Sequence, residues 1–280
     1  MRRRTSGRPS SGAWDSSSST SGATRTSGTS SNRSGPRPRL RGFARGRTDA
    51  PAEEAGTVRT LVVVPAKNLE TRIGDVVQRV RANAPGVDVL VIDDGSDDDT
   101  AEAASEAGAR VVRHEINRGK GEAIKTGIAA ADEGGYDAML TMDGDGQHDP
   151  VAVPDFLKAM ASGRWDIVVG SRMSNTGSMP PLRVWTNRTT SRIVSLLAGQ
   201  TIPDSQSGYR IHRTVLLRDM PLVSSRYDLE SEILIRAGRR GHSIGWIPIE
   251  SIYEDSESHI NPFVDTFRFI RLVVRSARWR

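Results

Sequence analysis

Residues 60–96 read TLVVVPAKNLETRIGDVVQRVRANAPGVDVLVIDDGS. Leu61 to Val64 is a short continuous apolar run of the kind a strand covered on both faces presents. Ile73, Val76, Val77 and Val80 then recur at i, i+3, i+4 and i+7, the apolar stripe of a helix. Val87 to Ile92 is a second apolar run, closed by Asp93-Asp94-Gly95-Ser96. Strand, helix and strand in this spacing predict a crossover unit, because two parallel strands need a connection of a dozen or more residues between them.

The alternation continues along the chain. A helix is expected from about Thr100, a strand over Arg110 to Val112, a helix from about Gly121, and strands over Tyr136 to Met142 and Asp166 to Gly170. The expected fold is therefore α/β, a mostly parallel sheet flanked by helices in one domain. Ligands of such sheets sit beyond the carboxyl ends of the strands. Three polar segments should converge there: Pro65 to Asn68, Asp93 to Ser96, and Asp143 to His148.

Residues 1–57 have a different composition. Ser, Thr, Gly, Arg and Pro dominate, with almost no aliphatic residue beyond Leu40. Such a segment cannot bury enough apolar surface to offset its ordering entropy, and we expect a disordered tail. It holds eleven arginines against four carboxylates, whereas the remainder has 28 basic and 30 acidic residues. The net charge of +5 thus belongs to the tail, and the expected folded part is slightly acidic. Basic residues without interleaved aromatics give no support to nucleic-acid binding. No cysteine is present, which excludes disulfides, thiol nucleophiles and thiolate metal sites. No apolar run approaches the roughly 20 residues of a membrane-spanning helix.

Asp143 and Asp145 alternate across Gly144 at an expected strand end, with Gly146 following. Two hard oxygen ligands without bulky neighbours suit Mg²⁺ or Mn²⁺ carried on phosphates. The same letters also fit an ordinary Asp-Gly turn, but Asp93-Asp94 is expected at the neighbouring strand end. Phosphate loops of the G-x-x-x-x-G-K-[ST] type, strand-linked G-x-G-x-x-G, G-x-S-x-G elbows and H-E-x-x-H spacing are all absent. Gly119-Lys120-Gly121 by itself reads equally well as a flexible helix start.

The ordered set Val62-Val-Val-Pro65-Ala-Lys-Asn68, Asp93-Asp94-Gly95-Ser96 with Thr100, Asn117-Arg-Gly119-Lys120-Gly121, Asp143-Gly-Asp145-Gly-Gln147-His148, Gly170-Ser171-Arg172 and Asp204-Ser-Gln-Ser207-Gly208-Tyr209-Arg210 resembles the GT-A glycosyltransferases of family two. Within them it is most similar to the dolichyl-phosphate mannosyltransferase and polyprenyl-phosphate glycosyltransferase branch, over about residues 58–262. The resemblance implies that Pro65, Asn68, Glu70, Asp93, Asp94 and Asp143 contact a nucleotide diphosphate sugar, and that Asp143, Asp145 and Gln147 surround a divalent cation, Mg²⁺ or Mn²⁺. It implies catalytic roles for Asp145 and Arg172. Arg172, Arg183, Ser207, Gly208 and Arg210 would face the acceptor phosphate. One departure stands out: the family usually has Glu directly after the Asn, whereas here Leu69 stands there and Glu70 follows.

The implied reaction is inverting transfer of a mannose- or glucose-type sugar to a polyprenyl or dolichyl phosphate, by a cytoplasmic enzyme at the inner face of the membrane. A phosphate acceptor needs no general base, since its oxygen is already anionic near pH 7. A hydroxyl acceptor needs one, and Glu230 or Glu232 would supply it in the alternative reading. A sugar-phosphate nucleotidyltransferase shares the sheet topology, but normally carries a Gly- and Arg-rich loop after the first strand that Pro65 to Asn68 lacks. At the end of the chain, Phe263, Phe267, Ile270 and Val274 form one stripe and Arg268, Arg271, Arg275 and Arg278 another. Residues 263–280 are accordingly expected to form a basic amphipathic helix, suited either to an anionic membrane surface or to core packing. Arg183, Trp185, Arg188, Arg192, Ile193, Leu196 and Leu197 make a second basic and apolar stretch.

Overall fold

The computed structural model describes residues 58–177, 179–250 and 262–279. The expected tail, residues 1–57, lies outside the described residues.

The expected alternation is present. Strand β1 (Thr60–Ala66), helix α1 (Glu70–Asn83), β2 (Asp88–Asp93), α2 (Thr100–Glu106), β3 (Arg110–Arg113), α3 (Lys120–Glu133) and β4 (Ala138–Thr141) follow one another. Next come α4 (Val153–Ala161), β5 (Ile167–Ser171), α5 (Pro181–Ala198), β6 (Arg210–Arg213), α6 (Thr214–Arg218), α7 (Asp228–Arg239), β7 (Ile244–Pro248) and α8 (Pro262–Ser276). The seven strands form one sheet in the order β3-β2-β1-β4-β6-β5-β7. It is parallel except at β6, which runs antiparallel to both β4 and β5. Strands β6 and β7 were not anticipated. The four residues Arg-Ile-His-Arg of β6 alternate polar and apolar types rather than forming an apolar run, and the pairing with β4 and β5 is what makes them a strand.

Alternate residues of the strands serve opposite faces. Leu61, Val63, Leu90, Ile92 and Met139 pack under α3, α5, α6, α7 and α8. Val62, Val64, Val89, Val91 and Leu140 pack under α1, α2 and α4. The stripe Ile73, Val76, Val77 and Val80 is buried, which fixes how α1 lies on the sheet.

The strand order reverses beside β1, where β2 leaves to one side and β4 to the other. The loops after β1 and β4 therefore open beside one another, at the position where a doubly wound sheet has a crevice.

Candidate active site

The loops after β1 and β2 are knitted together at this crevice. Asn68 adopts the left-handed backbone conformation at φ 53°, a conformation uncommon for a residue with a side chain. Its N–H donates to Ser96 Oγ at 2.9 Å, and its side-chain oxygen accepts from the Asp97 N–H at 3.0 Å. The Lys67 ammonium donates to the Gly95 carbonyl at 2.7 Å. Pro65 is half-buried, while Asn68 and Glu70 are exposed along the rim.

Asp93 and Asp94 depart from expectation. Both are buried, with carboxylates committed to the protein. Asp93 accepts from the Ser96 N–H and lies 3.2 Å from Arg113 Nε. Asp94 accepts from the N–H groups of Arg118 and Gly119 and pairs with His114 Nδ1 at 2.7 Å. Burial works against the ionised form of Asp94. The His114 ring and the two N–H groups outweigh it and hold the carboxyl below its ordinary value. The pair thus shapes the loop leading into α3 instead of presenting two carboxylates to the crevice.

After β4 the chain turns through Asp143 to His148. The Asp143 N–H donates to His148 Nδ1 at 3.0 Å, which places the ring proton on Nε2. His148 is buried and stacked on Tyr209 at 5.0 Å. Burial lowers its pKa despite the pull of Asp143, so the ring stays neutral. Asp145 is half-exposed; its Oδ1 accepts from the Gln147 N–H at 3.0 Å, and its carbonyl accepts from Arg72. Gln147 and Asp143 are half-exposed beside it.

Lys120, the first residue of α3, enters this site. Its Nζ lies 2.5 Å from Asp143 Oδ1 and 3.1 Å from Glu230 Oε1. Burial favours the neutral amine, but the two carboxylates outweigh it and keep the ammonium charged well above the usual range. Burial likewise opposes ionisation of Asp143, and Lys120 overrides it, bringing the carboxyl down to about 2. Two glycines permit this meeting. A Cβ at Gly208 would lie 2.8 Å from Lys120 Nζ, 3.0 Å from Glu230 Oε1 and 3.1 Å from Asp143 Oδ1. A Cβ at Gly121 would strike the backbone of Ser225 and Arg226, the segment that leads into α7. The motif Gly119-Lys120-Gly121, ambiguous as sequence, is thus a lysine flanked by one glycine against the Arg226 side chain and one against the backbone of Ser225 and Arg226.

The remaining expected residues divide. Arg172 is buried in a forked ion pair with Asp204. It lies close enough to Asp143 for its charge to stabilise that carboxylate. Gly208 borders the cluster, while Ser207 is fully buried and accepts from Arg210 through its carbonyl. Arg210 does not face an acceptor. It is 1% exposed, and its guanidinium donates to the carbonyls of Ser205, Ser207 and Glu230. Arg183 is exposed on the first turn of α5. Glu232 is fully buried, accepting from the N–H groups of Val223 and Ser224 and pairing with Arg236 at 2.7 Å. It is a structural carboxylate. Beside Arg172, a groove of about 580 Å³ runs along α5, walled by Met173, Arg188, Arg192, Leu196, Ile202 and Pro203.

The Asp143-Gly-Asp145 turn thus stands at the carboxyl end of β4 in a seven-stranded, mostly parallel α/β sheet. Residues 61–220 match glycosyl transferase family 2, and the chain belongs to that family. It is 32% identical over 216 residues to the UDP-N-acetylglucosamine–dolichyl-phosphate N-acetylglucosaminyltransferase of Methanococcus voltae, across 69% of this chain and 86% of that protein. It is also 32% identical over 216 residues to the polyprenol monophosphomannose synthase of Mycolicibacterium smegmatis, across 73% and 81% of the two. The glucosyl-3-phosphoglycerate synthase of Mycobacterium tuberculosis, crystallised with Mn²⁺, UDP and phosphoglyceric acid, superposes with a TM-score of 0.62 at 21% identity, over 83% of this chain and 85% of that one. That likeness shows the shared fold.

Proposed function

We propose that the enzyme transfers a mannose- or glucose-type sugar, with inversion, from a nucleotide diphosphate sugar to a polyprenyl or dolichyl phosphate, with a bound Mg²⁺ or Mn²⁺. The observation that carries the reading is the fate of the two candidate bases. Glu232 is locked on backbone N–H groups and Arg236, and Glu230 is paired with the ammonium of Lys120. A hydroxyl acceptor would require a carboxylate able to take its proton, whereas a phosphate acceptor arrives ionised. The names of the relatives from M. voltae and M. smegmatis point to the same acceptor class.

Asp143, Asp145 and Gln147 are the residues that would hold the cation, a reading supported by the positive charge of Lys120 that Asp143 already pairs with. A divalent ion there supplies charge neutralisation for the departing diphosphate. Half-buried Pro65 and exposed Asn68 and Glu70 form the rim on which the nucleoside would rest. Arg172, fixed by Asp204, would direct the acceptor phosphate, with Arg183 at the outer end of α5. The groove along α5 offers Arg188 and Arg192 to phosphate and apolar walls to a prenyl chain.

Membrane contact is part of this reading. Among the described residues no helix is long and apolar enough to cross a bilayer. Helix α8 exposes Phe267, Ile270 and Val274 on one side, with Arg271 and Arg278 beside them, and buries Leu272 and Ser276 on the other. Core packing thus accounts for one face, and the exposed face supports the membrane reading. The outer side of α5 likewise exposes Leu182, Trp185 and Leu196 between arginines. Arg239 ties the two helix ends together, donating to the carbonyls of Leu197 and Ser276. Apolar side chains flanked by arginines suit the interface of an anionic leaflet.

The test is transfer from a panel of nucleotide sugars to undecaprenyl phosphate and to soluble glycans, with and without Mn²⁺, alongside sedimentation with anionic vesicles. Metal-dependent transfer to the lipid phosphate alone is expected. Transfer restricted to a soluble hydroxyl would overturn the reading.

A further inference from the structure

Lys120 is set where a helix least favours it. The N-terminus of a helix carries partial positive charge and attracts anions, yet the first residue of α3 is a lysine, directed into the site by Gly119 and Gly121. Its side chain is only 17% exposed, and it bridges two carboxylates from separate elements, Asp143 after β4 and Glu230 on α7. The carboxylate it neutralises most closely is one of the two proposed for the cation. The three charged atoms pack directly against Gly208, each within 3.1 Å of where a Cβ would stand.

We propose that Lys120 is a placeholder cation: it occupies the Asp143 end of the metal site in the free enzyme, and the divalent ion enters productively only together with the negative charge of a nucleoside diphosphate. This rests on the metal-dependent reading above and specifies how the site is loaded. The argument is one of charge. Asp143 and Glu230 bring two negative charges, Lys120 bridges both, and the guanidinium charges of Arg172 and Arg210 act on the same cluster. A divalent ion arriving alone must share Asp143 with an ammonium 2.5 Å from its Oδ1, a like-charge contact weakly screened at this burial. A diphosphate arriving with the ion reverses the balance. The ammonium then withdraws from Asp143 while keeping Glu230, its second partner at 3.1 Å. No proton is transferred and no bond is made or broken; one cation replaces another on a carboxylate oxygen. The free enzyme thereby avoids holding a divalent ion without its donor, and metal and donor binding become positively coupled, as linkage requires in both directions.

The experiment is a Mn²⁺ titration followed by electron paramagnetic resonance, in the absence of nucleotide and in the presence of UDP or GDP, on the full chain. Wild type should bind Mn²⁺ weakly alone and at least about tenfold more tightly with whichever diphosphate fits. Lys120→Gln, which keeps an N–H donor but loses the charge, should bind Mn²⁺ alone about tenfold more tightly than wild type and respond less to the diphosphate. Lys120→Met serves as a second neutral variant if the first does not fold, and Lys120→Arg, still charged, should behave as wild type. Neutral variants that bind Mn²⁺ alone no better than wild type, while wild type binds it with a diphosphate, would overturn the placeholder and leave the metal-dependent reading standing. Absence of Mn²⁺ binding by wild type under every condition would overturn both.

Discussion

Arg172 and Asp204, 32 residues apart in the chain, meet in a forked ion pair, Nε to Oδ2 at 2.8 Å and Nη2 to Oδ1 at 2.9 Å. The Asp204 carboxylate is fully buried and also accepts from Asn187 Nδ2 and the Gln206 N–H. Burial opposes its ionisation and Arg172 prevails, so its pKa is held below the ordinary range. The pair fixes the guanidinium plane beside the β5 end and closes the loop that leads to Gly208.

Asp204→Asn should therefore lower the free energy of unfolding by about 3 kcal/mol, because it strands a buried guanidinium. Urea unfolding checks this. Arg172→Lys retains the charge but not the fork, and should reduce kcat/KM for the lipid phosphate on the order of 10²-fold. Donor binding, measured by calorimetry, should change far less. Equal losses in both would move Arg172 to the donor side.

Asp145→Asn should abolish transfer without unfolding the protein, since it removes one charge from the cation site and almost no volume. Its carboxylate is half-exposed and accepts a hydrogen bond from the nearby Gln147 N–H. Activity above about a tenth of wild type corresponds to a barrier change under about 1.4 kcal/mol and would contradict the metal role.

The two glutamates of α7 should separate cleanly. Glu232→Gln places an amide against the N–H groups of Val223 and Ser224, and should cost about 2 kcal/mol of stability with kcat per folded molecule nearly intact. Glu230→Gln loosens Lys120 and should impair transfer by less than the 10²–10⁴-fold expected when a general base is lost. A larger loss, with rate rising as a carboxylate titrates, would restore the hydroxyl-acceptor alternative.

His212, on β6, is 2% exposed, and burial together with the charge of Arg210 pushes its pKa down to about 3. The unfolded chain binds a proton near pH 6.5, well before the folded one does. This contribution to stability is thus complete above that pH and lost as pH falls. Between pH 8 and pH 5 the loss should be about 2 kcal/mol, with buried His148 adding in the same direction. His212→Leu should flatten the dependence of unfolding free energy on pH over that range; an unchanged slope would refute the assignment.

The sequence by itself determined the alternation of strands and helices, because β1 and β2 are continuous apolar runs and α1 carries a complete stripe at helical spacing. It also placed Asp143, Asp145 and Gln147 at a strand end, since turn residues and apolar runs are local signals. It did not reveal β6, a four-residue strand of alternating character. That segment becomes a strand through hydrogen bonds to β4 and β5, partners that lie far away in the chain. Nor could residue type tell carboxylates facing a ligand from those holding loops. Asp93, Asp94 and Glu232 look like candidate site residues in the chain and are committed to internal donors in the fold. Arg210 likewise supports backbone carbonyls rather than a phosphate. Only the tertiary structure joined Lys120 to Asp143 and Glu230. The pairing of buried charges depends on which elements are brought within a few ångströms, and that distance is a property of the packed sheet and helices rather than of any short stretch of sequence.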